Sequence, residues 1–284
     1  MVQPRKVKTI ITPEAVVEGA GVRVRRSMAT RTLRELDPFL LFDHFGSDNP
    51  YDYLAGFPMH PHRGIETVTY MLAGTVRHRD TLSNAGAIGP GDVQWMTSGR
   101  GIMHEEMPQR SLRIDGFQLW VNLPSSLKMT LPRYQDVGAV KIPVWQSGSG
   151  VQIRVVAGEI GGIRGAVTDI AADPTYLDVS MPPSGSYTHP IPMGHTAFVY
   201  LFEGEALFGI TSENDGTTAR APRMLILGDG DALTVRSGLE AARFLIVSGK
   251  PLNEPIARYG PFVMNTEEEI EQTLRELRDG TFIR

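Results

Sequence analysis

The sequence predicts an all-β protein built from two barrel modules, with one short C-terminal helix. Three observations predict it. A chain of 284 residues exceeds the ~100–150 residues near which single cores cluster, so two domains are expected. Thirty Gly and twenty Pro are many for helices and punctuate short strands. An ordered echo also runs through the chain. His60-Pro61-His62 followed by Thr69-Tyr70-Met71-Leu72-Ala73-Gly74 returns as His189-Pro190-Ile191 followed by Val199-Tyr200-Leu201-Phe202-Glu203-Gly204. Ile88-Gly89-Pro90-Gly91-Asp92 returns as Leu227-Gly228-Asp229-Gly230-Asp231. The separations, 130 residues from Gly74 to Gly204 and 139 from Gly91 to Gly230, suit a duplicated module with one insertion.

Taken in order, the first elements are basic. Residues 1–34 hold eight Lys and Arg against Glu14 and Glu18, a net charge of +6. In Val22-Arg23-Val24-Arg25 charge alternates with valine, so a strand would turn the arginines to solvent opposite a buried side. That reading is preferred to an anion or nucleic-acid site, because surface charge is the default for Arg. Next come an apolar run at 36–43 and a loop rich in Gly, Asp, Asn and Tyr at 46–56. Strands are expected at 67–72, 75–78, 92–96 and 117–121, each bounded by Gly, Pro, Asn or Ser. A Pro-containing stretch at 132–143 reads as the linker. Residues 1–135 would then form the N-terminal module and 136–284 the C-terminal one, whose strands begin at 151–156. Thr266-Glu267-Glu268-Glu269 is a capping box. Ile270, Leu274 and Leu277 follow at i, i+4 and i+7, and Asp279-Gly280 stops the helix. That helix would cap a barrel with its apolar stripe.

Composition excludes several classes. With 41% hydrophobic and 21% charged residues, neither disorder nor a membrane class is expected. A net charge of −4 and a pI near 6.0 give no general reason for a nucleic-acid partner. The chain has no Cys, so disulfides, thiolate nucleophiles and iron–sulfur clusters are out, and any metal must use nitrogen and oxygen ligands. No secretory leader and no stretch of ~20 apolar residues is visible, so a cytosolic protein without membrane contact is expected.

The chemistry gathers in Met59-His60-Pro61-His62-Arg63-Gly64-Ile65-Glu66 and Gly101-Ile102-Met103-His104-Glu105-Glu106. Residues two apart on a strand share a face, so His60 and His62 can converge on one ion at ~2.0–2.2 Å. His104 and Glu106 repeat the spacing and could add a third nitrogen and a carboxylate oxygen. Pro61 fits an edge or a strand start, where no ladder donor is lost.

The sequence is similar to the pirin family over nearly the whole chain. The match runs through Arg23-Val24-Arg25-Arg26-Ser27, 36–43, His60-Pro61-His62-Arg63-Gly64 and Pro90-Gly91-Asp92-Val93-Gln94-Trp95-Met96-Thr97. It continues in Gly99-Arg100-Gly101-Ile102-Met103-His104, Leu119-Trp120-Val121-Asn122-Leu123 and Gly260-Pro261-Phe262-Val263-Met264-Asn265-Thr266. The resemblance implies two cupin barrels, each a double-stranded β-helix. It implies one Fe(II) in the N-terminal barrel, held by the residues matching His60, His62, His104 and Glu106.

Two carboxylates compete for the fourth position. General cupins take it from the first motif, which points to Glu66, four residues after His62. The pirin pattern favours Glu106 and leaves Glu66 to orient a histidine or accept a proton from a phenolic substrate, with a surface pair to Arg63 or Arg77 as its bland alternative. Glu105, of opposite parity, should face away. His44 departs from the family, where an acidic residue is more frequent. In the second module Ile191 stands where His62 would, Arg243 is expected near the place of His104, and His189 and His195 are expected to be hydrogen-bonded or exposed.

The activity implied is an Fe(II)-dependent dioxygenase that opens a flavonol such as quercetin with O2, with Glu66 and Glu106 as its catalytic carboxylates. The alternative is a non-enzymatic, metal- or redox-dependent regulator that binds transcription factors or metabolic enzymes. A third is a structural pair of barrels with an adventitious metal.

Overall fold

The computed structural model describes residues 3–212 and 215–283. Strands dominate, and the one α-helix among the described residues is Glu267–Arg278. The strands expected in the first module appear as Ile65–Ala73, Val76–Asp80, Val93–Thr97 and Ile114–Asn122. The helix starts at the expected capping box, with Thr266 accepting from the Glu269 amide. No helix among the described residues is long and apolar enough to cross a membrane.

The chain forms two compact units, and they do not follow a cut between residues 135 and 136. One consists of Glu14–Ala139 with Leu252–Arg284, the other of Met1–Pro13 with Val140–Pro251. The reason is strand pairing. Val7–Ile11 joins the second unit by pairing with Arg223–Leu227. The stretch expected to be a linker holds a strand, Arg133–Val137, which pairs with Val93–Thr97 in the first unit. The C-terminal helix likewise belongs to the first unit. It packs Ile270, Leu274 and Leu277 against Phe262, Met264, Phe282 and Met103.

The first unit has a seven-stranded sheet in the order Arg133–Val137, Val93–Thr97, Ile65–Ala73, Ile114–Asn122, Phe39–Ser47, Val22–Met28, Glu14–Glu18. A four-stranded sheet runs Phe57–His62, Ile102–Pro108, Val76–Asp80, Ala85–Ile88. Pairing is antiparallel throughout. The central strand Ile65–Ala73 is buried on both faces along most of its length, which suits its β-branched Ile65, Thr67, Val68 and Thr69. Val22–Met28 alternates as expected, Val22 and Val24 buried and Arg23 and Arg25 exposed.

The second unit repeats the plan. Its seven-stranded sheet runs Val7–Ile11, Arg223–Leu227, Thr196–Glu203, Ala242–Gly249, Thr175–Met181, Gln152–Ala157, Val144–Gln146. Its four-stranded sheet runs Ser186–Pro190, Ala232–Ser237, Glu205–Phe208, Thr217–Arg220. Leu177, Val179, Ile191, Val199, Leu201, Phe208, Leu225, Leu233, Val235 and Phe244 belong to one continuous apolar core.

Candidate metal centre

The site is built in the first unit by two neighbouring strands of the four-stranded sheet. Phe57–His62 and Ile102–Pro108 pair so that His104 lies opposite His60 and Ile102 opposite His62. Strand alternation then turns the three imidazoles to one side, and their rings stand 4.5, 4.8 and 5.1 Å apart. One nitrogen from each ring lies within 4.8 Å of the others, and this is the cluster able to hold a metal among the described residues. His60 Nε2 and His62 Nε2 are 3.0 Å apart, the spacing of two nitrogens at right angles on one ion at ~2.1 Å. His60 Nδ1 lies 2.9 Å from the Pro58 carbonyl. A proton on that nitrogen would be donated there, leaving Nε2 as the free donor atom.

The state of these rings supports ligation. His62 and His104 are 2% and 1% exposed. Burial first, and then the neighbouring imidazoles, hold both well below the ordinary histidine value. At neutral pH they therefore carry lone pairs and no charge, the form a metal needs. Both ring nitrogens of His104 are buried without a hydrogen-bond partner, whereas buried polar atoms ordinarily find one. A divalent ion among the three rings would satisfy a nitrogen of His104, so the residues present fit the group.

Glu106 shares the face of His104 but stands apart from the histidine cluster. The register shifts between them, Glu106 falling opposite Phe57. Its Oε1 accepts from Thr69 Oγ1 at 3.0 Å, and the same hydroxyl lies 2.8 Å from Gln118 Oε1. Glu105 faces away as expected and pairs with Arg79.

Glu66 is not brought to the histidines. The positive φ of 80° at Gly64 turns the chain between the two strands, so the parity counted onward from His62 does not carry through. Thr69 lines the cavity, and the pairing from Glu66 to Tyr70 runs without a shift, so Glu66 points to the opposite face of its sheet. It is 1% exposed and accepts from Trp95 Nε1 at 3.0 Å and Thr97 Oγ1 at 2.8 Å. Neither the acid–base role nor the surface pair with Arg63 or Arg77 fits that position. Arg63 instead pairs with Glu276.

His60 and His62 line a cavity of about 630 Å³. Its walls are largely apolar, with Val22, Val24, Phe45, Tyr53, Phe57 and Ile114 among them, while His60, His62, Glu106 and Gln118 supply polar groups. Trp120 stands edge-on to His62 at 5.1 Å and carries the Arg258 guanidinium over its ring at 5.2 Å. Arg26 closes another wall with a two-pronged bond to Asp43 at 2.7 and 2.8 Å. Sequence reasoning missed Trp120, Thr69 and Gln118 as wall residues. The last two could have been found by strand parity once the pairing was known. Arg258 and Pro261 come from the C-terminal segment, and no local pattern announces them. His44 takes no part. It turns to the other face and lies 2.8 Å from Asp115 Oδ1.

In the second unit the position across from His189 is Leu233, which corrects the placement of Arg243. Arg243 sits on the strand Ala242–Gly249 and forks onto Asp178 at 2.7 and 3.0 Å. His189 Nδ1 lies 3.0 Å from the Tyr187 hydroxyl, and burial lowers its pKa to about 4. His195 is nearly buried with Nδ1 unpartnered, and its Nε2 is 3.9 Å from Asp173.

Comparison with known proteins agrees with this geometry. Residues 21–121 match the Pirin family model and residues 176–283 match the model described as Pirin C-terminal cupin domain. The chain belongs to the pirin family. A pirin-like protein of Solanum lycopersicum is 44% identical over 280 residues, covering 98% of this chain and 93% of the relative. The human protein named Pirin is 42% identical over 280 residues, covering 97% and 93%. Among solved structures, a quercetin 2,3-dioxygenase of Acinetobacter baumannii superposes with a TM-score of 0.88 at 35% identity, covering 98% of each chain. The fold is thus that of pirins, two cupin-type barrels.

Proposed function

We propose that this pirin is a metal-dependent dioxygenase that opens a flavonol such as quercetin with O2. Its iron(II) would be held by His60, His62 and His104, with Glu106 as the fourth ligand. The observation that carries the reading is a cluster of three imidazoles, two of them buried and neutral, of which His60 and His62 line an apolar cavity large enough for a flat aromatic ligand. The Acinetobacter baumannii neighbour bears the name of this activity.

When bound, the ion supplies Lewis acidity and the capacity to engage O2. The rest falls to the chain's own residues. The apolar walls exclude water and hold the ligand plane, and the edge of Trp120 limits how it can approach His62. Thr69 Oγ1 donates to Glu106 Oε1 and would leave the other carboxylate oxygen for the ion. Low local polarity strengthens every charge interaction within the cavity.

Anaerobic reconstitution with Fe(II), Mn(II), Ni(II), Cu(II) or Zn(II), followed by quercetin and air, tests the proposal. Loss of the flavonol absorbance with matching O2 uptake is expected for at least the Fe(II) form. Stoichiometric binding of every metal with no turnover would refute the dioxygenase and leave a metal-binding protein of another function.

A further inference from the structure

The motif His60-Pro61-His62 continues into Arg63-Gly64, and the metal reading uses only its histidines. Arg63 is 3% exposed, an unusual depth for a guanidinium, which is buried only when well paired. Its Nε donates to the Arg100 carbonyl, its Nη1 donates to Thr273 Oγ1 at 3.0 Å and its Nη2 to Glu276 Oε2 at 2.7 Å. The cation also lies 4.6 Å from the centre of the Phe282 ring. Thr273, Glu276 and Phe282 all come from the C-terminal helix and the residues just after it. Arg100 lies two residues before Ile102, where the strand of His104 begins.

The backbone beside Arg63 is held as tightly. The Val263 amide donates to Arg63 O at 3.0 Å, and the Gly64 amide donates to Gly99 O at 2.9 Å. Lys128, buried and pushed down to about 8 by burial, donates to Gly64 O, Asn122 Oδ1 and Val263 O at 3.0, 2.7 and 2.8 Å. A side chain at Gly64 would collide with Val263 O, so the segments can approach only with glycine there. Met103, one residue before His104, packs against the helix and Phe262.

We propose that Arg63 and Glu276 are positioning residues for the metal centre. Their buried ion pair uses the C-terminal helix to hold the strand of His60 and His62 against the strand of His104. A guanidinium suits the task because its rigid planar fork spreads three donors over a fixed geometry, here bridging the Arg100 carbonyl and the C-terminal helix. The cluster is assembled from two strands whose separation must hold to a fraction of an ångström, and supporting groups of this kind set how well ligands are aimed.

The inference rests on the metal reading of the cluster. It is tested by Co(II) affinity, measured by chelator competition, and by the ligand-field absorption of bound Co(II), both in the full chain. Glu276→Ala should weaken Co(II) binding at least ~10-fold and shift the spectrum, in line with lost outer support of metal ligands. Arg63→Lys should fall between that variant and wild type. Asp178→Asn, which breaks the buried pair with Arg243 in the other unit, should lower the melting temperature without moving affinity or spectrum. If the Glu276→Ala chain does not fold, Thr273→Val removes one neutral hydrogen bond at little change of shape and should still shift the spectrum. Wild-type affinity and spectrum in a folded Glu276→Ala, or in Thr273→Val where that chain carries the test, would overturn the proposal. A wild-type chain that binds no Co(II) would overturn the metal centre itself and this inference with it.

Discussion

In the first barrel the strand Phe57–His62 sets His60 against His104. In the second the matching strand Ser186–Pro190 sets His189 against Leu233, with Ile191 following where His62 stands. Two residues on from His104 is Glu106, and two on from Leu233 is Val235. The second barrel has thus filled the same inward positions with Ile, Leu and Val, which join its continuous core. Both barrels keep a cavity, but among the described residues only in the first do two clustered histidines line it. The comparison teaches that the same topology accepts Ile and Leu at two positions where the first barrel carries histidines. Function is added to such a frame by a few inward positions.

The largest effect should come from removing a nitrogen. His60→Ala and His104→Ala are each expected to lower metal content at least ~100-fold, the upper range even for lost outer support. Circular dichroism should stay that of a folded β protein. Iron content equal to wild type in either purified variant would refute the ligand assignment.

The comparison can be broken in the opposite direction. Ile191→His with Leu233→His should install a second pair of nitrogens beside His189. The cost is polar groups in an apolar core, about 1–3 kcal/mol for each. Added Co(II) should recover part of that loss and bind as a second equivalent. A folded double variant that still binds one equivalent would show that the second barrel lacks the geometry as well as the ligands.

His189 allows a test by pH, free of any proposed metal ligand. Its pKa falls from 6.5 in the unfolded chain to about 4 in the folded one, so between those values the unfolded state binds the extra proton. Its contribution is intact above pH 6.5 and is lost as pH falls towards 4, about 3 kcal/mol over that window. The difference in unfolding free energy between wild type and His189→Gln should change by that order between pH 7 and pH 4. A constant difference would mean that His189 is not held neutral by burial.

The smallest effects separate the two glutamates. Glu106→Gln replaces an anionic oxygen facing the cavity by a neutral one and should weaken metal binding about 10-fold. Glu66→Gln should leave metal content and turnover at wild-type levels. It should cost about 1 kcal/mol of stability, because the charge-assisted bonds from Trp95 Nε1 and Thr97 Oγ1 become neutral ones and the Thr97 hydroxyl must turn to accept from the amide. Loss of metal in Glu66→Gln with retention in Glu106→Gln would overturn both placements.

What the sequence determined by itself is everything that depends on short-range pattern or long motifs. The duplication, the strand segments, the capping box at Thr266 and the shared faces of His60 with His62 and of His104 with Glu106 follow from periods of 2 and 3.6 residues. Such periods act within one element. The family could be read because its motifs are long and span the chain. The tertiary structure decided what depends on pairing between distant segments. It drew Val7–Ile11 into the second unit and the C-terminal helix into the first. At Gly64 it broke the parity that seemed to carry Glu66 to the site, because a left-handed glycine reverses the count of faces. It also brought Thr273 and Glu276 against Arg63, more than 200 residues earlier in the chain, as one buried cluster. A pattern window of a dozen residues holds no record of such a contact, since the helix that supplies the acceptors is chosen by packing rather than by neighbours in sequence.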